Sequence, residues 1–137
     1  MKTFYAVFDT NVLVSSLLTK RVDSPTLQLL RLVFDGQIVL LYNDDIIREY
    51  EDVLNRGHFA FPAERVKELI DLVKTGIYLS PTDSGETFVD EEDKVFYEVA
   101  LSHDEGYVVT GNIRHFPKSP IVVTPAEMMQ IVQGTNP

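Results

Sequence analysis

Asp9, Glu49, Asp93 and Asn112 are the residues of this chain whose types and surroundings could do chemistry. Asp9 stands in "FYAVFDTNVLVSSLL", where a carboxylate, a hydroxyl (Thr10) and an amide (Asn11) interrupt an apolar stretch. Glu49 borders the apolar stripe of "NDDIIREYEDVLN", Asp93 belongs to the acidic run "DEEDK", and Asn112 follows "YVVTG". Each also has a plain structural reading. Asp9, with Thr10 or Asn11, can cap a helix; Glu49 can be a solvated helix residue. Asp93 can complement the dipole of a first helical turn, and Asn112 can be an ordinary turn residue. What joins them is placement. They are oxygen donors far apart in sequence, each expected near the top of a strand or of the helix that follows one. A carboxylate at the border of a buried stripe needs a partner or an open cleft, and a divalent cation is one such partner.

The elements that must position these groups alternate between short β-rich runs and helical patterns. Phe4–Phe8 reads as the first strand, with a helix after Asn11. In "DSPTLQLLRLVFDG", Ser24 can cap, Pro25 takes the first helical position and Gly36 stops the helix. "QIVLLY" is a second strand. The helix "NDDIIREYEDVLN" follows, with Ile46, Ile47, Tyr50, Val53 and Leu54 at helical spacing. "FPAERVKELIDLVKTG" is a further helix and "IYLS" a short strand. "DEEDKVFYEVALSHDEG" is helical, burying some or all of Val95, Phe96, Val99 and Ala100. "YVVT" and "IVVT" close the set of strands. Thr124, Pro125 and Glu127 form a capping-box start for a last helix. This alternation predicts an α/β fold, a three-layer α/β/α sandwich around a five-stranded, mostly parallel sheet. In such a sheet functional groups gather beyond the carboxyl ends of the strands. That is where Asp9 and Asn112 fall.

A length of 137 residues suits one domain over 1–137 with a core that needs no staples. The absence of cysteine excludes disulfides and thiolate metal sites. No apolar run approaches the roughly 20 residues that span a bilayer, and the start lacks the layout of a signal peptide. A cytoplasmic location with no membrane partner is the expectation. The net charge of −9 counts against binding nucleic acid, whose phosphates are held by Lys and Arg. Either a site that collects carboxylates around a divalent cation or a basic protein partner would account for it.

The motifs "VFDTNVLVSSLL", "IIREYEDVLNR", "DEEDKVFYEVAL" and "YVVTGNIRHFP", in that order, resemble the PIN-domain ribonucleases. Within them the chain is similar to the branch of toxin components of toxin–antitoxin pairs. The resemblance covers nearly the whole chain and implies divalent-metal-dependent hydrolysis of RNA. It implies that Asp9, Glu49 and Asp93 are the family's acids, that Asn11 assists Asp9, and that Thr110 carries the family's hydroxyl. The fourth family position, commonly aspartate, is Asn112 here, one negative charge fewer. Asp90 could add a carboxylate from the preceding loop, with helix capping as its competing role.

Three carboxylates converging at about 4 Å would repel by roughly 4 kcal/mol per pair at an effective dielectric near 20. A cation would relieve this, and an all-oxygen donor set suits Mg²⁺ or Mn²⁺ rather than Zn²⁺. In this reading Asp9 is the central ligand, Asp93 binds directly or through water, and Glu49 holds a metal-bound water or acts as base. Asn112 orients water or ligates through its carbonyl. Thr110 and Asn11 fix the carboxylate rotamers from behind. Thr10 and Asn11 are also expected to satisfy local backbone donors. Arg114, His115 and Lys118 in "NIRHFPKSP" are candidates for the RNA backbone, or else a solvated basic turn. Lys20 and Arg21 are weaker candidates, and Arg48 and Arg56 read as surface charges.

Two alternatives stay open: a catalytically weak or inactive PIN-like binding module, and a metal-dependent phosphatase on a similar sheet. Haloacid-dehalogenase enzymes need a second aspartate two residues after the nucleophile, where this chain has Asn11. Receiver domains need an acidic pair and a late lysine that do not appear. The acidity also suits a basic antitoxin. Leu27, Leu30 and Phe34 could serve that interface or a homodimer, although core packing is their default.

Overall fold

The apolar runs read above as strands pair into one sheet in the computed structural model, which describes residues 2–134. The ends of the proposed 1–137 span lie outside these residues. The strands are β1 (Phe4–Phe8), β2 (Ile38–Tyr42), β3 (Ile77–Tyr78), β4 (Gly106–Val109) and β5 (Val122–Val123), in the order β3-β2-β1-β4-β5. Every pairing is parallel, so the expected mostly parallel sheet is wholly so. The helices are α1 (Thr10–Leu18), α2 (Pro25–Phe34), α3 (Asp44–Leu54), α4 (Ala63–Val73), α5 (Glu91–Leu101) and α6 (Pro125–Gln133).

The order explains the layers. From β1 to β3 the chain steps towards one edge, and from β3 it crosses back to β4. Parallel crossovers are right-handed, so α1 to α4 and α5 must cover opposite faces. Both faces of the central strands are therefore dry: Ala6, Val7 and Phe8 of β1, Leu40 and Leu41 of β2, and Val108 and Val109 of β4 are all buried. Among the described residues, no helix is long and apolar enough to cross a membrane.

Local chemistry sets the helix starts. Asn43 caps α3 by accepting from the Ile46 amide at 2.9 Å, and Asp90 caps α5 by accepting from the Glu92 amide at 3.1 Å. The capping box of Thr124 and Glu127 opens α6 as expected. Ser24 departs from expectation. It occupies the position before α2, but its hydroxyl pairs with that of Thr26 at 3.0 Å and caps no amide. In α5 the buried run includes Tyr97 and Glu98 as well as Phe96, Val99 and Ala100, whereas Val95 is half-buried. Glu98 is tolerated inside because its carboxylate accepts from the Ser84 amide and hydroxyl at 2.7 and 2.8 Å.

The turn from α5 into β4 leaves no room for a side chain at Gly106. A Cβ there would stand 2.3 Å from the Ala100 carbonyl oxygen, a backbone atom that cannot swing aside. Gly106→Ala is therefore expected to cost about 1–3 kcal/mol of folding stability by overpacking. Gly57→Ala, whose Cβ meets nothing within 4 Å, should stay within about 0.5 kcal/mol of the parent. Equal urea midpoints for the two variants would contradict the close approach.

Candidate active site at the carboxyl edge of the sheet

Strand order reverses between β1 and β4, and Asp9 is the first residue beyond β1 at that seam. The register aligns Phe8 with Val109, which puts Thr110 beside Asp9. Thr110 is fully buried and donates its hydroxyl to Asp9 Oδ2 at 2.7 Å. The Asn11 amide donates to the same oxygen at 3.2 Å. Both side-chain bonds fall on Oδ2, which leaves Oδ1 clear of side-chain donors. The Asp9 backbone is pinned as well, its amide donating to the Val109 carbonyl at 2.9 Å. From the opposite side Tyr50, wholly buried on α3, donates its hydroxyl to the Phe8 carbonyl, so α3 is tied to the end of β1.

Asp9 occupies the position before α1 and makes no side-chain cap bond there, although the Thr10 amide still pulls its carboxyl pKa down. The roles expected for its neighbours change accordingly. Asn11 accepts not from a local amide but from Gly111 across the β1–β4 seam, at 3.2 Å. Thr10 satisfies no donor: its hydroxyl is buried without a hydrogen-bond partner among the described residues. Thr110 does double work, since its Oγ1 also accepts from the Asn112 amide at 2.9 Å. One hydroxyl thus links the carboxylate to the loop that follows β4.

The remaining acids come from helix starts. Asp93 lies in the first turn of α5, and His115 Nδ1 stands 3.5 Å from its Oδ2. His115 belongs to a one-turn 3-10 helix, Ile113–His115, that closes the loop after Asn112. Glu49 is half-buried on α3. Burial pushes the Asp9 carboxyl above its ordinary value, with the Thr110 hydrogen bond pulling the other way. Burial and then the charges of Asp9 and Asp90 raise Asp93 to about 6, against a lowering pull from His115. Burial, then Glu92 and Asp52, raise Glu49, and Asp9 adds a smaller push. Burial is the first cause of all three upward shifts, and neighbouring carboxylates add to it at Asp93 and Glu49.

Asp9, Glu49 and Asp93 therefore share an electrostatic neighbourhood. Among the described residues, no group of three or more His, Cys, Asp or Glu is gathered so as to hold a metal ion by itself. Asp90, the other possible ligand, is exposed and spends its carboxylate on the cap of α5. The donors fit a hydrated hard cation rather than a closed cage. Mg²⁺ keeps several waters and takes one or two carboxylates directly, so it does not require a closed set of three.

Asn112 is exposed, and its side-chain amide makes no hydrogen bond among the described residues. With Arg114 and His115 it lines an open hollow of about 390 Å³. Lys118 is exposed beyond it, and neither Arg114 nor Lys118 is ion-paired among the described residues. Phe116 is buried and anchors this loop. Arg21 is engaged by Asp23 at 3.1 Å, and Arg48 and Arg56 pair with Asp45 and Asp52 on the α3 surface. The contact of His115 with Asp93 and the tie from Tyr50 escaped the sequence reading. Nothing in a linear pattern relates residues 42 positions apart such as Tyr50 and Phe8.

Two measurements test this geometry. Thr110→Val keeps the volume but removes a donor to Asp9 and an acceptor for Asn112. It should cost about 1–3 kcal/mol, with Thr110→Ser largely restoring stability in chemical denaturation. Asp93 gives a signed pH effect. Its pKa is raised from 3.8 to about 6, so between those values the folded state holds more protons than the unfolded state. That favourable contribution is lost as pH rises through about 6. With chelator present, Asp93→Asn should melt higher than the parent at pH 7.5, and the gain should fade towards pH 4. A gain independent of pH would argue against a strained carboxylate.

A family model described as "PIN domain" matches residues 5–114, a span that includes all of β1 but its first residue, β4, Asp9, Glu49, Asp93 and Asn112. No curated protein and no solved structure matches the chain at a significant level. PIN domains are typically nucleases and generally use divalent metals, which places the chain with enzymes of the hydrolase kind that act on nucleic acid. A parallel sheet with a buried carboxylate at its seam, matched over residues 5–114, makes this chain a member of the PIN-domain family.

Proposed function

We propose that the protein is a Mg²⁺- or Mn²⁺-dependent endoribonuclease that hydrolyses RNA phosphodiester bonds, as the toxin of a type II toxin–antitoxin pair. The observation that carries the nuclease reading is Asp9. It is a buried carboxylate at the sheet seam, held on one oxygen by Thr110 and Asn11, with its charge felt by Asp93 and Glu49. In this reading Asp9 and Asp93 would hold the cation, with Glu49 near enough to feel the charge of Asp9. When bound, the cation supplies Lewis acidity, lowering the pKa of a coordinated water and offsetting charge on the phosphate.

The chain's own groups do the rest. Thr110 and Asn11 keep the Asp9 carboxylate in one rotamer. Glu49, whose carboxyl is raised by burial and acidic neighbours, is the candidate to take the proton of the attacking water. His115 braces Asp93 at 3.5 Å. Arg114 and Lys118, free of ion pairs among the described residues, would meet the phosphates of the strand.

The toxin role rests on the family resemblance and the net charge of −9, which suits a basic inhibitor in the cytoplasm. Phe34, 79% exposed at the end of α2, is available to that inhibitor or to a second copy. Leu30 packs partly on the core, as expected by default.

Purified protein should cleave RNA with Mg²⁺ or Mn²⁺ and not with chelator present. Asp9→Asn should reduce cleavage by at least about 10²-fold while circular dichroism stays that of the parent. Undiminished cleavage by Asp9→Asn would remove Asp9 from the site. A parent that binds Mn²⁺ weakly and cleaves nothing would be a binding module instead.

A further inference from the structure

The carboxyl edge of the sheet holds a second open hollow, of about 270 Å³, on the far side of Asn11. Its walls are Asn11, Val12 and Ser15 of α1, Thr26 of α2, Asn112 after β4, and Pro125 at the start of α6. No wall residue is charged, in a chain of net charge −9. By contrast, the hollow at the amino edge carries Lys2, Asp104 and Glu105, and that beside α4 carries Arg65, Glu68 and Asp71. The volume falls just below the roughly 300–1,000 Å³ of sites for whole drug-sized molecules, and suits one planar heterocycle.

Its polar groups donate and accept without bearing charge. Ser15 and Thr26 hydroxyls lie 3.2 Å apart, and Thr26 also meets Ser24 at 3.0 Å, so their protons can turn to suit a ligand. Asn11 is fixed by Gly111 and by Asp9, to which it donates at 3.2 Å. One amide therefore borders both the hollow and the catalytic carboxylate. Asn112 is the polar wall residue left with an uncommitted amide. It also lines the hollow that contains Arg114 and His115. Asn112 thus stands between a neutral, hydrogen-bonding recess and a cationic one. A ligand that is neutral and flat at one end and anionic at the other fits both, and a nucleotide has that form.

We infer that the neutral hollow receives one unpaired nucleobase of the RNA, and that Asn112 reads its edge while the adjoining phosphate lies against Arg114 and His115. Sequence-selective reading of RNA works on splayed single-stranded bases, and an amide can pair with a base edge through both of its ends. Aspartate at this position would present acceptors only. Asn112 is then a specificity-determining residue rather than a cation ligand. The inference rests on the nuclease reading and deepens it by naming what selects the cut.

The test compares short RNAs that differ by one base beside the cleaved bond, with kcat/KM measured in Mn²⁺. The parent should discriminate among the four bases by about tenfold or more, and Asn112→Ala should compress that spread to about threefold or less. Asn112→Asp should change the base ranking without tightening the Mn²⁺ midpoint. An unchanged spread in Asn112→Ala would overturn the inference, as would a tighter Mn²⁺ midpoint with an unchanged ranking in Asn112→Asp. A second arm keeps the two readings separable. The four nucleoside monophosphates are titrated with chelator present, and amide shifts of Ser15, Asn112 and Thr26 are followed by NMR. A protein that cleaves nothing yet shifts these amides with base preference would lose the nuclease reading and keep the hollow. Absent or base-independent shifts would sink the hollow, whatever the cleavage result.

Discussion

A single hydrogen bond, from the Thr110 hydroxyl to Asp9 Oδ2 at 2.7 Å, is the constraint on which the rest of the site depends. Burying a carboxylate costs several kcal/mol unless its oxygens find donors. Asp9 must be buried, because it ends the central strand of a sheet covered on both faces. The sheet order puts β4 next to β1, and the register then puts Thr110 at the one place where a hydroxyl can reach it. The donor is fully buried itself and cannot exchange this partner for water. Asn11 adds a second donor to the same oxygen, so the carboxylate has a fixed orientation and one face left over.

From that fixed charge the electrostatics of the edge follow. Asp93 starts α5 and Glu49 rides on α3, and each helix is anchored by an Asx cap, Asp90 and Asn43 respectively. The caps hold both acids within reach of the Asp9 field, and burial removes the water that would screen it. The carboxyls answer by holding their protons more tightly, Asp93 up to about 6. In the proposed reading, this is where a dication would offset the charge. The strain is local. The surface acids Asp23, Asp52 and Asp71 sit in ion pairs with neighbouring bases on their own segments.

This partition accounts for how so acidic a protein can present a face to RNA in the proposed reading. The loop after β4 brings Arg114 and His115 to the same edge as the carboxylates, and the buried Phe116 holds it down. His115 of this turn meets Asp93 at 3.5 Å, and a neutral hollow of amides and hydroxyls adjoins the same edge through Asn11 and Asn112.

Much of this was legible in the linear sequence. Short β-rich runs and helical spacing located the five strands and the helices between them, and Gly36, Pro25 and the Thr124–Glu127 box marked ends that the structure keeps. These are local effects, set by backbone geometry within a few residues, so a linear pattern carries them. The identity of Asp9, Glu49 and Asp93 as candidates was legible too, since acids beside apolar stripes are conspicuous. Their relation was not. Whether Asp9 caps α1 or faces a cleft depends on Thr110, 101 residues away, and that depends on which strand lies beside β1. The hydroxyl of Thr10, left without a partner, and the amide of Asn11, turned to Gly111, show the same limit. Side-chain type and spacing determined which groups could do chemistry. Only the order and register of the parallel strands decided which of them meet, because a hydrogen bond reaches about 3 Å and sequence distance says nothing about that.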